Sequence, residues 1–327
     1  MSGAGPSDKV LALCGGIGGA KLALGFYRLL GANLTVVVNT GDDFEHLGLN
    51  ISPDLDTVIY TLAGLADPER GWGRTGETWQ FMRALRGLGG ESWFQLGDLD
   101  LAMHVQRTDW LKSGRSLSAF AEHAASQFGI TARILPMSNN PVRTIVDTDE
   151  GSLAFQHYFV RRRSEPVVRV IRFAGAQEAS PAPGMLDRMA DAPLSAIVIC
   201  PSNPYLSIDP ILAVPGTTAA LIAAQAPVVA VSPIIGGKAV KGPTAKIMEE
   251  LGIANTNTSI AGHYRGLIDG IVIDEADVSD RPRIDMPVLV TRTMMRDLAD
   301  RERLAGEILA FAGSLVRSSS AMRAGGR

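Results

Sequence analysis

The sequence is poor in cysteine, in net charge and in long apolar runs, and each shortage removes a class of protein. Only two of its 327 residues are cysteines, Cys14 and Cys200. That pair supports neither a disulfide framework nor a zinc spacing. Each thiol ends an apolar run, so both read as small core residues in a reducing compartment. No apolar stretch approaches the ~18 residues needed to span a bilayer, and residues 1–8 lack a hydrophobic signal region. The expectation is a cytoplasmic protein with no membrane partner. Lys and Arg number 31 against 34 Asp and Glu, a net charge of −3. Duplex-binding chains carry a basic excess, so nucleic acid is set aside as a partner, and Arg161, Arg162 and Arg163 read as a solvated strand or loop end. There is no G-x-S-x-G elbow and neither cysteine has a base partner, which disfavours covalent acyl catalysis. His46, His123, His157 and His263 show no metal-ligand spacing and read as ordinary.

Apolar residues make up 46% and charged residues 20%, a globular balance with length for one large or two smaller domains. Strands with little alternation, each followed by a loop and a helical pattern, recur along the chain. Lys9–Cys14 runs into Gly15-Gly16-Ile17-Gly18-Gly19, and Ala20–Leu30 then sets Leu22, Phe26, Leu29 and Leu30 on one helical face. Leu34–Val38 is a second such strand; Ala196–Cys200, Val228–Val231, Gly270–Asp274 and Val288–Thr291 follow. Strands apolar throughout belong to a parallel sheet covered on both faces. The expected fold class is therefore α/β, a doubly wound, mainly parallel, Rossmann-like sheet. Residues 62–128 differ: they show helical periodicity at Leu117, Phe120, Ala124 and Phe128, hold Trp72, Trp79 and Trp93, and contain no parallel strand. They read as a helical insertion. Arg143–Asp147 and Ser152–Gln156 alternate around a turn and read as a small antiparallel hairpin. The division expected is a nucleotide-binding core at 8–61 and 129–315, the insertion at 62–128, and a disordered tail at 316–327.

The first strand–helix turn carries the strongest chemical signal. Glycines there let the backbone approach a diphosphate, and a helix N-terminus offers unpaired N–H groups and a positive dipole end. Gly15, Gly16, Gly18 and Gly19 are the candidates, with Lys21 adding a point charge. The run is neither a full G-x-G-x-x-G fingerprint nor a P-loop, and a tight turn without ligand is the plainer alternative. The second strand ends in Asn39-Thr40-Gly41-Asp42-Asp43, and Ser52-Pro53-Asp54-Leu55-Asp56 precedes a helical run. Carboxylates grouped beside a phosphate cradle suit magnesium, while alone they serve equally as helix caps. Asp42, Asp43, Asp54 and Asp56 are thus the metal candidates. Gly97–His104, Ser202-Asn203 and Ser232–Lys238 supply further polar rims; for His104 alone, structural and catalytic roles stay equally open.

These motifs recur together and in order: Gly15–Lys21, Val38–Asp43, Ile51–Thr57, Arg70–Gly73, Leu96–His104, Leu135–Ser138, Pro201–Pro204 and Ser232–Gly236. Taken as a set, they resemble the 2-phospho-L-lactate transferase family of coenzyme F-420 biosynthesis over nearly the whole chain. The resemblance implies a magnesium-dependent homodimer acting on small molecules. A guanosine diphosphate ester of a three-carbon acid (lactyl, enolpyruvyl or glyceryl) would donate its phosphorylated acid to the ribityl hydroxyl of the deazaflavin FO, releasing GMP. It implies Asp43, Asp54 and Asp56 as catalytic or metal-holding acids, with Asp42 beside them. Gly15 to Lys21, Ser202, Asn203, Ser232, Pro233, Gly236 and Gly237 fall to the nucleotide side, Asn39 and Thr40 to substrate binding, and Asp98, His104 and Arg107 to the acceptor side, in the insertion. One position departs: many relatives read Gly-Asp-Arg-Asp where this chain has Gly97-Asp98-Leu99-Asp100, and Arg107 is the candidate replacement. Two other readings stand beside this one. A nucleotide-sugar-binding regulator of the same superfamily would need the glycine turn but not Asp54 and Asp56. An NAD-dependent dehydrogenase rests on the glycine turn alone.

Overall fold

Apolar runs without alternation have both faces covered, and the computed structural model, which describes residues 8–190, 194–239 and 242–315, shows what covers them. The expected tail at 316–327 lies outside the described residues. Seven strands form one sheet: β1 (Lys9–Cys14), β2 (Leu34–Val38), β3 (Arg133–Pro136), β4 (Leu194–Ile199), β5 (Val228–Val231), β6 (Gly270–Asp274) and β7 (Val288–Thr291). Their order is β7-β6-β5-β4-β1-β2-β3, and every neighbouring pair is parallel. This is the doubly wound, Rossmann-like α/β class expected from the sequence. Strand order reverses between β1 and β4, where such sheets open a crevice at their carboxyl ends.

Alternate residues of β1 feed two separate cores. Val10, Ala12 and Cys14 pack with Phe26 of helix α1 (Gly16–Leu30) and with Leu304 and Ile308 of helix α6 (Leu298–Ser314); Leu11 and Leu13 pack on the other face with Tyr158 and Ile211. Helix α1 begins four residues before the helical pattern legible at Ala20. The glycine run is therefore the first turn of the helix, with Gly15 as its extended N-cap.

Four more helices join β2 to β3: α2 (Pro53–Leu62), α3 (Gln80–Gly87), α4 (Asp98–Lys112) and α5 (Leu117–Gln127). Within 62–128 they part company. Phe120, Ala121, Ala124 and Ala125 of α5 pack against Val36 and Ile134 of the main sheet, so α5 is a crossover helix of that sheet. Met82 and Leu96 instead form a satellite core with Ile51, Phe44, Phe94 and Leu101. The antiparallel hairpin is present as Arg143–Thr148 and Gly151–Ala154, and a third strand, Val168–Ala174, pairs with its other side. Among the described residues no single helix is long and apolar enough to cross a membrane.

Helices α1 and α6 touch backbone to backbone. A Cβ at Gly25 would lie 2.2 Å from the Arg301 carbonyl oxygen, closer than any real contact. Gly25→Ala should therefore push the helices apart and cost ~1–3 kcal/mol as an overpacked contact. The measurement is the urea midpoint at constant m-value; an unchanged midpoint would mean that the two helices do not meet there.

Candidate functional site

A cavity of about 520 Å³ lies over the crevice where strand order reverses. Its floor comes from the turns after β1 and β4. Gly16 has φ +62°, a left-handed backbone that glycine adopts without penalty. Packing demands the neighbouring glycines as much as access does. A Cβ at Gly15 would meet Ser207 at 2.5 Å, at Gly18 the Pro201 carbonyl at 2.6 Å, and at Gly19 the Ser202 hydroxyl at 2.5 Å. Ser202 staples the two turns by donating to the Gly15 carbonyl (2.7 Å) and accepting from the Gly15 N–H (3.1 Å). Ile17 and Gly18, in the first turn of α1, have no helical carbonyl one turn back for their N–H groups, and both line the cavity. Lys21 also lines it, with its ammonium donating to the Met295 carbonyl at 3.2 Å.

The N-terminus of α2 meets that of α1. The Asp54 carboxylate accepts the Gly16 N–H at 2.8 Å on one oxygen and the Asn39 amide at 2.9 Å on the other. Asn39 is buried and does not line the cavity; its carbonyl oxygen accepts the Gly41 N–H at 2.8 Å, which shapes the turn after β2. Burial pushes the Asp54 carboxyl up, against the Asn39 and Gly16 hydrogen bonds. Asp42 rises well above the carboxylate range, first through burial and then through the charge of Asp54, and its Oδ1 has no hydrogen-bond partner. Both carboxylates line the cavity. Two buried acids that repel each other, one with an unpartnered oxygen, fit a hard divalent cation bound through oxygen.

Asp43 lies behind them. It accepts the Ser52 hydroxyl at 2.7 Å, does not line the cavity, and is pushed up to about 7 by burial. Asp56 lines the cavity but is held by Arg107 through two bonds, 2.7 and 2.8 Å, and sits at about 6 because burial outweighs that pairing. Arg107 is fully buried, so it offers nothing to a ligand. Leu99 lies outside the cavity lining, with its methyl 3.9 Å from where a Cβ of Gly76 would be.

Other candidates divide the same way. Asn203, Ser232, Pro233 and His104 line the cavity. Asn203 caps the turn after β4 by accepting the Tyr205 and Leu206 N–H groups, which leaves its buried Nδ2 without a partner. Thr40 is buried, and Gly19 packs beneath the floor. Asp98 is taken up by α3, whose Gln80 and Phe81 N–H groups it accepts at 3.0 and 2.9 Å. Gly236 and Gly237 donate their N–H groups to Asp277 at 2.8 and 2.9 Å, away from the lining.

Sequence reasoning missed the aromatic wall. Tyr60, Trp72, Phe94, Phe155 and Phe159 all line the cavity, and the Phe155 and Phe159 rings stack at 5.4 Å, 7° from parallel. It also passed over Asp100, although Asp100 and His104 are four apart on a helix and so share a face.

Comparison with known proteins decides the family. Residues 10–311 match the family model described as 2-phospho-L-lactate transferase CofD. The chain belongs to this transferase family. A phosphoenolpyruvate transferase of Streptomyces griseus is 40% identical over 93% of this chain and 98% of its own. A 2-phospho-L-lactate transferase of Methanopyrus kandleri is 39% identical over 94% of this chain and 99% of its own. Among solved structures, a Bacillus halodurans protein of the UPF0052 family superposes with a TM-score of 0.60 at 15% identity, covering 94% of this chain and 100% of that one. That likeness concerns the fold alone. Family membership makes the protein a transferase, for which this cavity is the candidate active site.

The raised acids make a testable signature. A carboxyl whose folded pKa exceeds its unfolded value contributes stability that is full at low pH and lost as pH rises through the folded value. Asp43 at about 7 and Asp56 at about 6, each raised from 3.8, place that loss between about pH 4 and 7. His46, lowered by burial, acts with the opposite sign in the same window. Urea midpoints stepped across it in EDTA should therefore fall more steeply for the native chain than for Asp43→Asn. Equal slopes would contradict the burial of an acid at that position.

Proposed function

We propose that this transferase moves the phosphorylated three-carbon acid of a guanosine diphosphate ester onto the ribityl hydroxyl of FO, releasing GMP in coenzyme F-420 biosynthesis. The observation that carries the reading is the union of two surfaces in one cavity. One is a helix N-terminus beside repelling carboxylates, which suits a diphosphate with its cation. The other is a wall of five aromatic rings, which suits a flat tricyclic acceptor. The names of the two relatives support the class of donor, and their near-equal identity leaves the three-carbon acid to experiment.

Magnesium would be held by Asp42 and Asp54 and would supply charge neutralisation on the leaving phosphate. The chain's own groups do the rest. First-turn N–H groups of Ile17 and Gly18, with Lys21 nearby, bind the diphosphate oxygens. The aromatic wall orients the acceptor and excludes water. The ribityl oxygen attacks the phosphorus that bears the acid, the anhydride bond to GMP breaks, and GMP leaves with that electron pair. A cavity carboxylate accepts the hydroxyl proton. Both thiols are buried, so neither is offered to the substrate as a nucleophile.

The test incubates the protein with FO, magnesium and each guanylylated acid in turn, and identifies products by mass. At least one donor should yield GMP and a phosphodiester of FO; no product from any of the three overturns the proposal. Asp54→Asn should lower turnover at least about tenfold, since even partners of metal ligands cost about 10- to 100-fold when removed, with an unchanged circular dichroism spectrum. Near-normal turnover would remove Asp54 from the site.

A further inference from the structure

Three successive arginines, Arg161, Arg162 and Arg163, stand at the rim of the cavity without entering it. Phe159 and Val160, just before them, line the cavity; the arginines do not. Phe159 is 38% exposed, a large ring left facing water at the mouth. Arg162 pairs with Glu150 at 2.6 Å, and Arg161 lies 6.0 Å from the centroid of the Trp93 ring. Arg163 is exposed and has no partner among the described residues.

The backbone that carries them is strained. His157–Arg161 is a π-helical turn, closed by the Arg162 N–H on the His157 carbonyl at 2.8 Å. Such wide turns are rare and concentrate at functional sites. Arg163 and Ser164 then both take left-handed backbone, φ +51° and +56°, which a residue with a Cβ adopts only at a cost. A second π-helical turn, Pro204–Ile208, also borders the cavity, yet all five of its residues are buried and none has positive φ. That turn is fixed in the core, whereas the first has a free outer face. Its surroundings are pinned: Ala154 pairs with Ile145, the Val168 N–H donates to Glu250 at 2.9 Å, and the Pro166 carbonyl accepts Lys246 at 2.8 Å. Tyr158, fully buried, anchors the inner side. Between these anchors lie residues 159–163.

Charge gives this segment something to do. The described lining residues include four acids, Asp42, Asp54, Asp56 and Asp100, against one lysine, Lys21, and no arginine. Lys21 already donates to the Met295 carbonyl. A diphosphate brought here with one divalent cation is still an anion among carboxylates, and a further cation stabilises it strongly where water is scarce. The planar fork of a guanidinium fits phosphate oxygens through two bonds. Three of the four acids offer such a group little, because Asp54 is held by Gly16 and Asn39, Asp56 by Arg107, and Asp100 by Tyr60. A bound diphosphate offers it free oxygens.

Resting on the donor proposed above, we propose that residues 159–163 form a lid that folds inward over the bound diphosphate and lays the Arg163 guanidinium on its oxygens. Closure covers the Phe159 ring, which favours it through apolar burial. It also lets Arg163 and Ser164 leave the left-handed region. The strain of the open lid thus lowers the cost of closing it, and the ligand's charge decides when it closes.

Calorimetric titration of the full chain tests the lid, with magnesium present and either GDP or inorganic pyrophosphate as the probe. Arg163→Gln should weaken both by about tenfold or more, the loss of a charge-assisted hydrogen bond, with an unchanged circular dichroism spectrum. Arg163→Lys should recover part of that loss. Arg162→Gln, which breaks only an exposed ion pair, should stay within about twofold of the native affinity. Hydrogen exchange reads the movement itself. Bound pyrophosphate should slow exchange at the N–H groups of residues 159–164 in the native chain, and leave it unchanged in Arg163→Gln at equal occupancy. Native affinity in Arg163→Gln, an equal loss in Arg162→Gln, or exchange that ignores bound pyrophosphate overturns the lid. If the native chain binds pyrophosphate through Arg163 but does not bind GDP, the lid stands and the proposed donor falls. If it binds neither, both fall.

Discussion

The bond from the Gly16 N–H to the Asp54 carboxylate ties the N-termini of two helices together over the point where the sheet reverses order. Nearly everything else in the cavity is arranged around it. Asn39 holds the second Asp54 oxygen and also shapes the turn that delivers Asp42 and Asp43. A Cβ at Gly15 would meet Ser207 at 2.5 Å and the Asp54 carboxylate at 2.7 Å. One carboxylate thus occupies the first of the N–H groups that an anion would seek, and leaves Ile17 and Gly18 for the ligand. A helix N-terminus with an acid already on it attracts phosphate weakly by itself. It attracts phosphate together with a cation far better, because the cation turns the acids from repelling groups into ligands.

Five buried or nearly buried acids surround this point, and each is compensated differently. Asp56 has Arg107, Asp43 has a hydroxyl and the nearby charges of Arg143 and Arg107, and Asp100 has an imidazole and a phenol. Asp54 has the Gly16 N–H and the Asn39 amide, while Asp42 beside it is raised first by burial and then by the charge of Asp54. Burying like charges costs several kcal/mol per ion unless they are paired, and such a cost survives where function needs the charge. Asp42, whose Oδ1 has no partner, is the acid that a cation would compensate.

How much of this was legible beforehand depended on burial. Strands β1, β2, β5, β6 and β7 were read to within their ends because a parallel strand is apolar on both faces. Val168–Ala174 was passed over since most of it is exposed and its arginines break the apolar pattern. Helix α1 was started at Ala20 because glycines have poor helix propensity, yet a first turn can be built from them where close packing demands it. Among site residues, sequence spacing brought the glycine turn, Asp42, Asp54, Ser202 and His104 to one place. It could not foresee that Arg107, Asp98, Gly236 and Gly237 spend their polar groups on Asp56, on α3 and on Asp277, since those partners are distant in sequence or set by a turn. Asp100 was overlooked in favour of Asp98, two residues away, although only Asp100 shares a helical face with His104.

The central claim is that the donor's diphosphate and a divalent cation bind at the Asp42–Asp54 pair as one unit. Calorimetric titration of GDP at fixed pH, with and without magnesium, tests it most directly. Magnesium should tighten GDP binding at least tenfold in the native chain, and this gain should vanish in Asp42→Asn. Equal GDP affinity with and without the cation, or a gain that survives in Asp42→Asn, would contradict the account.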